Sequence, residues 1–417
     1  MAMILDPAGD QSTEQDIAVP AATDLRIQER NGRGRDACRK SAELLSPHSK
    51  ETPMPPTAPF ELETMPGLDR TLERFEAWWH CEIVDRPPVS MSLRPDQPIR
   101  LPPVTYASER QRWMDVEGTL DRFEKHVAAR RYISDLLPTF MPNLGPDICA
   151  ATYGCELEFG PTTSWSKPIA ANCEQVLQLT PNLQKPYWAL IRRFTDESLE
   201  RGRGKWITGY TDLHPNGDLL AALREPQELL LEMAENPEAV KAAMRHLTPH
   251  FKLMYDDLVQ RIRAAAQPTL SWIPVPHQGR MNISSCDLIC MISCELFHEM
   301  ILPALQWEME QVDRSIFHLD GPGAVRHLDS LLACKRLHAI QWVAGAGSGP
   351  ASRWTGLYQR IQAGGKAMQI ICDDIGEARK LMEHLKPEGC WFDIIGEYTE
   401  AEIHSFLAEV GRWSVRR

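Results

Sequence analysis

The sequence predicts an α/β fold of the (β/α)8 barrel class, and three observations carry that prediction. In the last third, SIFHLDGPG (Ser315 to Gly323), IQWVAGAG (Ile340 to Gly347), MQIICDD (Met368 to Asp374) and WFDIIGE (Trp391 to Glu397) are apolar β-type runs that end in polar or Gly residues and pass into helical patterns. They recur every ~25 residues, a spacing typical of successive strand–helix units. Over the whole chain eight candidate strands begin near Pro88, Asp147, Trp206, Leu270, Ile316, Ile340, Met368 and Trp391, nearly all separated by helical segments. Eight parallel strands with crossover helices close into a barrel whose chemistry sits at the strand C-termini. An open doubly wound sheet is the alternative, but no Gly-rich nucleotide fingerprint follows the first strand.

The elements follow in order. Residues 1–64 hold Pro, Ser, Thr, Asp and Arg with little apolar periodicity, and read as a disordered tail that cannot bury enough surface to offset ordering entropy. A start assigned upstream of Met54 or Met65 would explain such a tail as well as a functional extension would. The barrel domain is expected over residues 65–417. LDRTLERFEAWWHCEI is an amphipathic helix, and DRPPVSMSL a short strand after a Pro pair that stops the helix. TLDRFEKHVAARRYISDLL, LQKPYWALIRRFTDESLERG, PQELLLEMAENPEAVKAAMRHL and PHFKLMYDDLVQRIRAAA are helical; KWITGYTDL and TLSWIPVP are strands. SCELFHEMILPALQWEMEQVD is a long helix in which Pro303 predicts a kink or short break.

The chain has 417 residues, 43% hydrophobic and 24% charged, with 45 basic against 57 acidic side chains and a formal net charge of −12. That balance disfavours nucleic acid or an anionic membrane as the main partner. No apolar run approaches the ~20 residues that span a bilayer, and MAMILDPAGDQS lacks the features of a secretory signal. Eleven scattered cysteines fit a reducing cytoplasm. Cys286, Cys290 and Cys294 would stack on one helix face, as a thiolate metal cluster or as small buried residues.

Residues two apart on a strand share a face, so His318 and Asp320 project together from the end of their strand. Imidazole and carboxylate suit zinc, with a third ligand from another strand leaving an open position. The structural alternative is that Asp320 caps the following helix and His318 bonds the loop. Other strand ends offer Met91 and Arg94, Asp147, Tyr210 and Asp212, His277 and Arg280, Gln341 and Trp342, Cys372 and Asp373, and Asp393 and Glu397. Asp212 is a candidate general acid or substrate anchor, Asp147 a catalytic group or a helix cap, and Asp218 a cap for LLAALR. Arg94 is placed to clamp a carboxylate. Met91, Tyr210, Gln341 and Trp342 are further candidate substrate contacts. GAGSGP lacks the Lys-Ser/Thr of a P-loop, and its glycines suit close backbone approach to a ligand. Trp165, Trp342 and Trp354 would wall an apolar pocket or pack the core.

From Leu68 onward these residues, in this order, resemble the uroporphyrinogen decarboxylase superfamily. DRPPVSMSLRP resembles its Arg-x-Pro-Val-x-Met-Arg motif, with Arg86, Pro88, Val89 and Met91 in register. GPDICAATYGCELEFGPTTSW resembles the segment that carries a decarboxylase's catalytic Asp, where Asp147 falls, and HLDGPGAVRHLDSLL with IQWVAGAG is similar to a less characterised branch. The resemblance implies a distorted barrel with its site at the strand C-termini. Porphyrinogen decarboxylases continue the first motif as Arg-Gln-Ala-Gly-Arg; SLRPDQP offers only Arg94, too few cations for a tetrapyrrole. The sister corrinoid-dependent methyltransferases carry His-x-Cys and a later Cys as zinc ligands. His318 falls on the His, Asp320 on the first Cys, and Cys372 or Glu397 would complete the set; Cys390 begins its strand, at the wrong end.

The resemblance therefore implies a zinc-assisted methyltransferase acting on a small methyl donor or acceptor, and the cysteine pattern puts it in the cytoplasm. Methylcobalamin would be carried by a separate corrinoid protein, because this chain shows no Asp-x-His-x-x-Gly of its own. Two alternatives stand: a decarboxylase of a porphyrinogen or smaller carboxylate, using Asp147 and Asp212 without metal, and a non-catalytic binding barrel. Whether the chain forms a homodimer is left open.

Overall fold

The computed structural model describes residues 60–99 and 101–415. Ten strands occur in chain order: β1 (Val89–Leu93), β2 (Thr139–Phe140), β3 (Leu157–Phe159), β4 (Ser164–Ser166), β5 (Ile207–Thr208), β6 (Met281–Ser285), β7 (Arg314–Asp320), β8 (Ala339–Val343), β9 (Ala367–Cys372) and β10 (Cys390–Tyr398). β1, β10, β9, β8, β7 and β6 pair in that order as one six-stranded sheet, every pairing parallel. β2 and β5 form a separate parallel pair, and β3 and β4 an antiparallel hairpin. Helices cross between the parallel strands, as α/β architecture requires.

The four apolar runs of the last third are β7 to β10, as expected, and the first and third expected strands are β1 and β5. Two expectations change. The segment at Asp147 is the helix Ile148–Tyr153, and the strand near it is the shorter β2. The segment at Leu270 gives only an isolated bridge between Thr269 and His277, although Leu270 O accepts from Tyr210 N at 3.0 Å. The regular strand follows later, in MNISS, which carries little apolar pattern; both its faces are buried. Strands buried on both faces lose the alternation that marks them in sequence.

One end of the sheet is plugged by the helix Leu68–Trp79. Trp78 Nε1 donates to Met368 O (3.3 Å), Trp79 Nε1 donates to Pro276 O (3.1 Å), and Phe75 meets Trp391 edge-on. His277 bonds Glu76 on that helix and Arg280 pairs with Asp256, so both lie before β6 rather than at a site beyond its end. Beside the plug, buried Asp135 accepts from Thr71 Oγ1, Arg74, Arg86 and Val89 N, which anchors β1. Packing starts earlier than the boundary expected after residue 64: Leu62 is buried, and Glu63 N donates to Gly204 O. The rest of the expected tail lies outside the described residues.

At Pro303 the chain does not break: the backbone stays helical from Cys294 to Glu310, and the irregularity is a π-helical turn at Phe297–Ile301 immediately before the proline, which accommodates its missing N–H. No helix among the described residues is long and apolar enough to cross a membrane.

Candidate metal centre

The register of the parallel sheet sets one polar row. Ser285 lies opposite His318, His318 opposite Gln341, and Gln341 opposite Gln369. His318 and Asp320 share one face of β7, as period-two alternation requires. The structure brings a third group to them: Asp287, in the tight turn Asp287–Met291 just beyond β6. One ligand atom from each of Asp287, His318 and Asp320 lies within 4.8 Å of the others, and they are the one such metal-capable group among the described residues.

His318 is 7% exposed and its Nδ1 lies 2.5 Å from Gln341 Oε1. Nδ1 is therefore the donor, which leaves the Nε2 lone pair for a ligand. Burial pushes the His318 pKa down, favouring the neutral form that binds metal. Trp272 stands edge-on to the ring, centroids 4.9 Å apart at 84°. Asp287 opens to solvent, yet the protein crowded around it and the Asp218 carboxylate push its pKa up to about 6. An imidazole and two carboxylates form a donor set suited to zinc, close enough for small side-chain shifts to bring all three onto one ion.

Behind this group lies a buried imidazole between two acids. His214 Nε2 is 2.9 Å from Asp212 Oδ2, and its Nδ1 is 3.0 Å from Asp218 Oδ2 and 3.1 Å from Ser285 Oγ. Burial opposes a charge there, but Asp212 and then Asp218 outweigh it and hold the His214 pKa well above that of a free imidazole. Asp218 also accepts from the backbone N–H of Asp287 (3.0 Å) and Leu288 (3.2 Å). It thus caps the turn that carries Asp287, not LLAALR, whose cap is Asn216. Asp212 was expected at the site; His214, Asp218, Asp287 and Trp272 were not, because His214 and Trp272 reach it from loops, Asp218 from the first turn of the helix Gly217–Arg224 and Asp287 from a tight turn, none of which carries a strand pattern.

Several expected residues stand elsewhere. Cys372 has the parity of Met368 and Ile370, opposite to Gln369, and lies fully buried beside Tyr358; the third metal-capable group is Asp287 in its place. Trp342 is likewise opposite in parity to Gln341 and packs 4.9 Å from Trp354. Met91 has the parity of Val89, opposite to Ser90, whose hydroxyl accepts from Trp391 in the interior. Tyr210 is a core residue: its hydroxyl donates to Asn282 Oδ1 at 2.9 Å and its ring packs on Tyr255. Arg94 is exposed and donates to Glu397 O, while Glu397 pairs with Arg130. Asp147 does not cap its helix by a side-chain bond; it accepts from Ser166 N (2.7 Å) and braces the β3–β4 hairpin. Trp165 is 48% exposed on that hairpin. Cys286, Cys290 and Cys294 fall on a strand end, a tight turn and a new helix, so no common face stacks them.

No protein-family model matches the sequence, and no curated protein matches it. Among solved structures the chain is similar to a methyltransferase from Methanosarcina mazei, with a TM-score of 0.54 and 13% sequence identity over 82% of this chain and 98% of that one. At that identity the likeness is one of fold.

Proposed function

We propose that this chain is a zinc-assisted methyltransferase of the uroporphyrinogen decarboxylase-like type, acting on a small methyl donor or acceptor with a separate corrinoid protein. The observation that carries the reading is the convergence of Asp287, His318 and Asp320 at the ends of adjacent strands. The fold likeness to a solved methyltransferase supports it. In this reading the six-stranded sheet and the β2–β5 pair are arcs of one distorted barrel. Single backbone bonds from Asp135 N to Val89 O, and from Tyr210 N to Leu270 O, support that closure.

His318 through Nε2, with Asp287 and Asp320 through carboxylate oxygens, would hold the ion. When bound, zinc lowers the pKa of a coordinated thiol or water and so supplies a nucleophile near neutral pH. The chain's own residues do the rest. Gln341 orients the imidazole, Asp218 fixes the turn bearing Asp287, and the His214 cation offsets the carboxylates crowded around it. Trp272 shields one side of the ring from water.

The test is metal analysis and zinc titration of the purified full chain. About one zinc per chain is expected, with affinity falling by at least about tenfold in Asp287→Asn and further in His318→Ala. Protein that takes up no zinc, or holds it equally well in both variants, would sink the reading. The Asp212–His214 pair favours a second reading, a metal-free decarboxylase in which Asp212 anchors the substrate while His214 supplies a proton.

A further inference from the structure

The polar row on the inner face of the sheet continues beyond His318. Gln341 Nε2 donates to Gln369 Oε1 at 2.6 Å, and Gln369 Nε2 donates to Asp393 Oδ2 at 2.9 Å. With the bond between His318 Nδ1 and Gln341 Oε1, four side chains on four neighbouring strands, β7 to β10, form one unbroken line. Gln341 and Gln369 are 4% and 2% exposed, so water does not compete for these bonds.

An amide is ambiguous by itself, because its oxygen and nitrogen ends can exchange. Here one end of the line is not ambiguous. An ionised carboxylate only accepts. Burial raises the Asp393 pKa to about 6, so the group is ionised above neutral pH. It turns Gln369 Nε2 toward itself, which turns Gln369 Oε1 toward Gln341 Nε2, and Gln341 Oε1 toward His318. We infer that Asp393 is a positioning residue which, through Gln341 and Gln369, places the proton of His318 on Nδ1 and keeps Nε2 open for the ligand. Reversing any amide would set two donors or two acceptors face to face in a buried site, an expensive arrangement. The importance of Nε2 rests on the proposed function; the position of the proton does not.

The test reads the imidazole tautomer by nitrogen-15 NMR of the metal-free full chain at pH 8. Wild-type His318 should favour the Nδ1–H form by more than about tenfold, the bias of one strong buried hydrogen bond. In Asp393→Asn the far end no longer dictates direction, and the bias should fall below about threefold. Adding Gln341→Glu to that variant supplies an acceptor directly beside the ring and should restore the Nδ1–H form, which loss of folding would not permit. Wild-type His318 in the Nε2–H form, or an unchanged ratio in natively folded Asp393→Asn, would overturn the inference. Because metal is left out, failure of zinc binding would end the proposed function and leave this result standing.

Discussion

Glu308 makes the sharpest stability prediction. It lies on the helix Leu302–Glu310, 1% exposed, with Asn282 Nδ2 donating to Oε1 and Asn216 Nδ2 donating to Oε2. Both amides are held in that orientation. Asn282 Oδ1 accepts from the Tyr210 hydroxyl, and Asn216 Oδ1 accepts from Gly217 N. Burial nevertheless outweighs these donors and lifts the Glu308 pKa from 4.5 to about 8. The folded protein then binds this proton more tightly than the unfolded chain does. Its contribution is fully present below pH 4.5 and is lost as pH rises toward 8. At about 1.36 kcal/mol per pH unit that interval amounts to roughly 5 kcal/mol, an upper figure for a site that relaxes on ionisation. Glu308→Gln removes the charge, but its N–H end must face one of the held asparagine donors, a fixed cost of about 1–3 kcal/mol at every pH. Its stability relative to the wild type should therefore rise by about 2–5 kcal/mol between pH 5 and pH 8.5. Urea unfolding of both proteins at several pH values between these limits reads the difference directly. A stability difference that does not move in the variant's favour as pH rises would show that the two asparagines fully compensate the buried charge.

Two further outcomes follow from the same geometry. Asp135→Ala leaves Arg86, 8% exposed, without its carboxylate and frees Val89 N, so β1 should lose its anchor and unfolding midpoints should report a cost of about 3–5 kcal/mol. Cys372→Ala removes a side chain of the helix-facing layer; zinc titration should be unchanged while stability falls by about 1 kcal/mol, and a lost zinc site would return Cys372 to the ligand set.

What the sequence determined is local. His318 and Asp320 share a strand face because alternation needs only neighbouring residues, and the regular spacing of β7 to β10 made the last third legible. Pro303 marked the irregular turn in its helix by the same short-range logic. The partner of that pair was not legible. Asp287 lies 31 residues before His318, on a turn held by Asp218 from the first turn of a distant helix, and only the register of β6 against β7 brings them together. Alternation also cannot say which face of a strand is the inner one until the helices are in place. Trp342, Met91 and Cys372 were therefore expected at the site alongside Asp393; Gln369 was not, and the line from His318 to Asp393 formed only once neighbouring strands had set their parity. Side-chain period is written in the chain; pairing register and facing direction are decided by long-range packing.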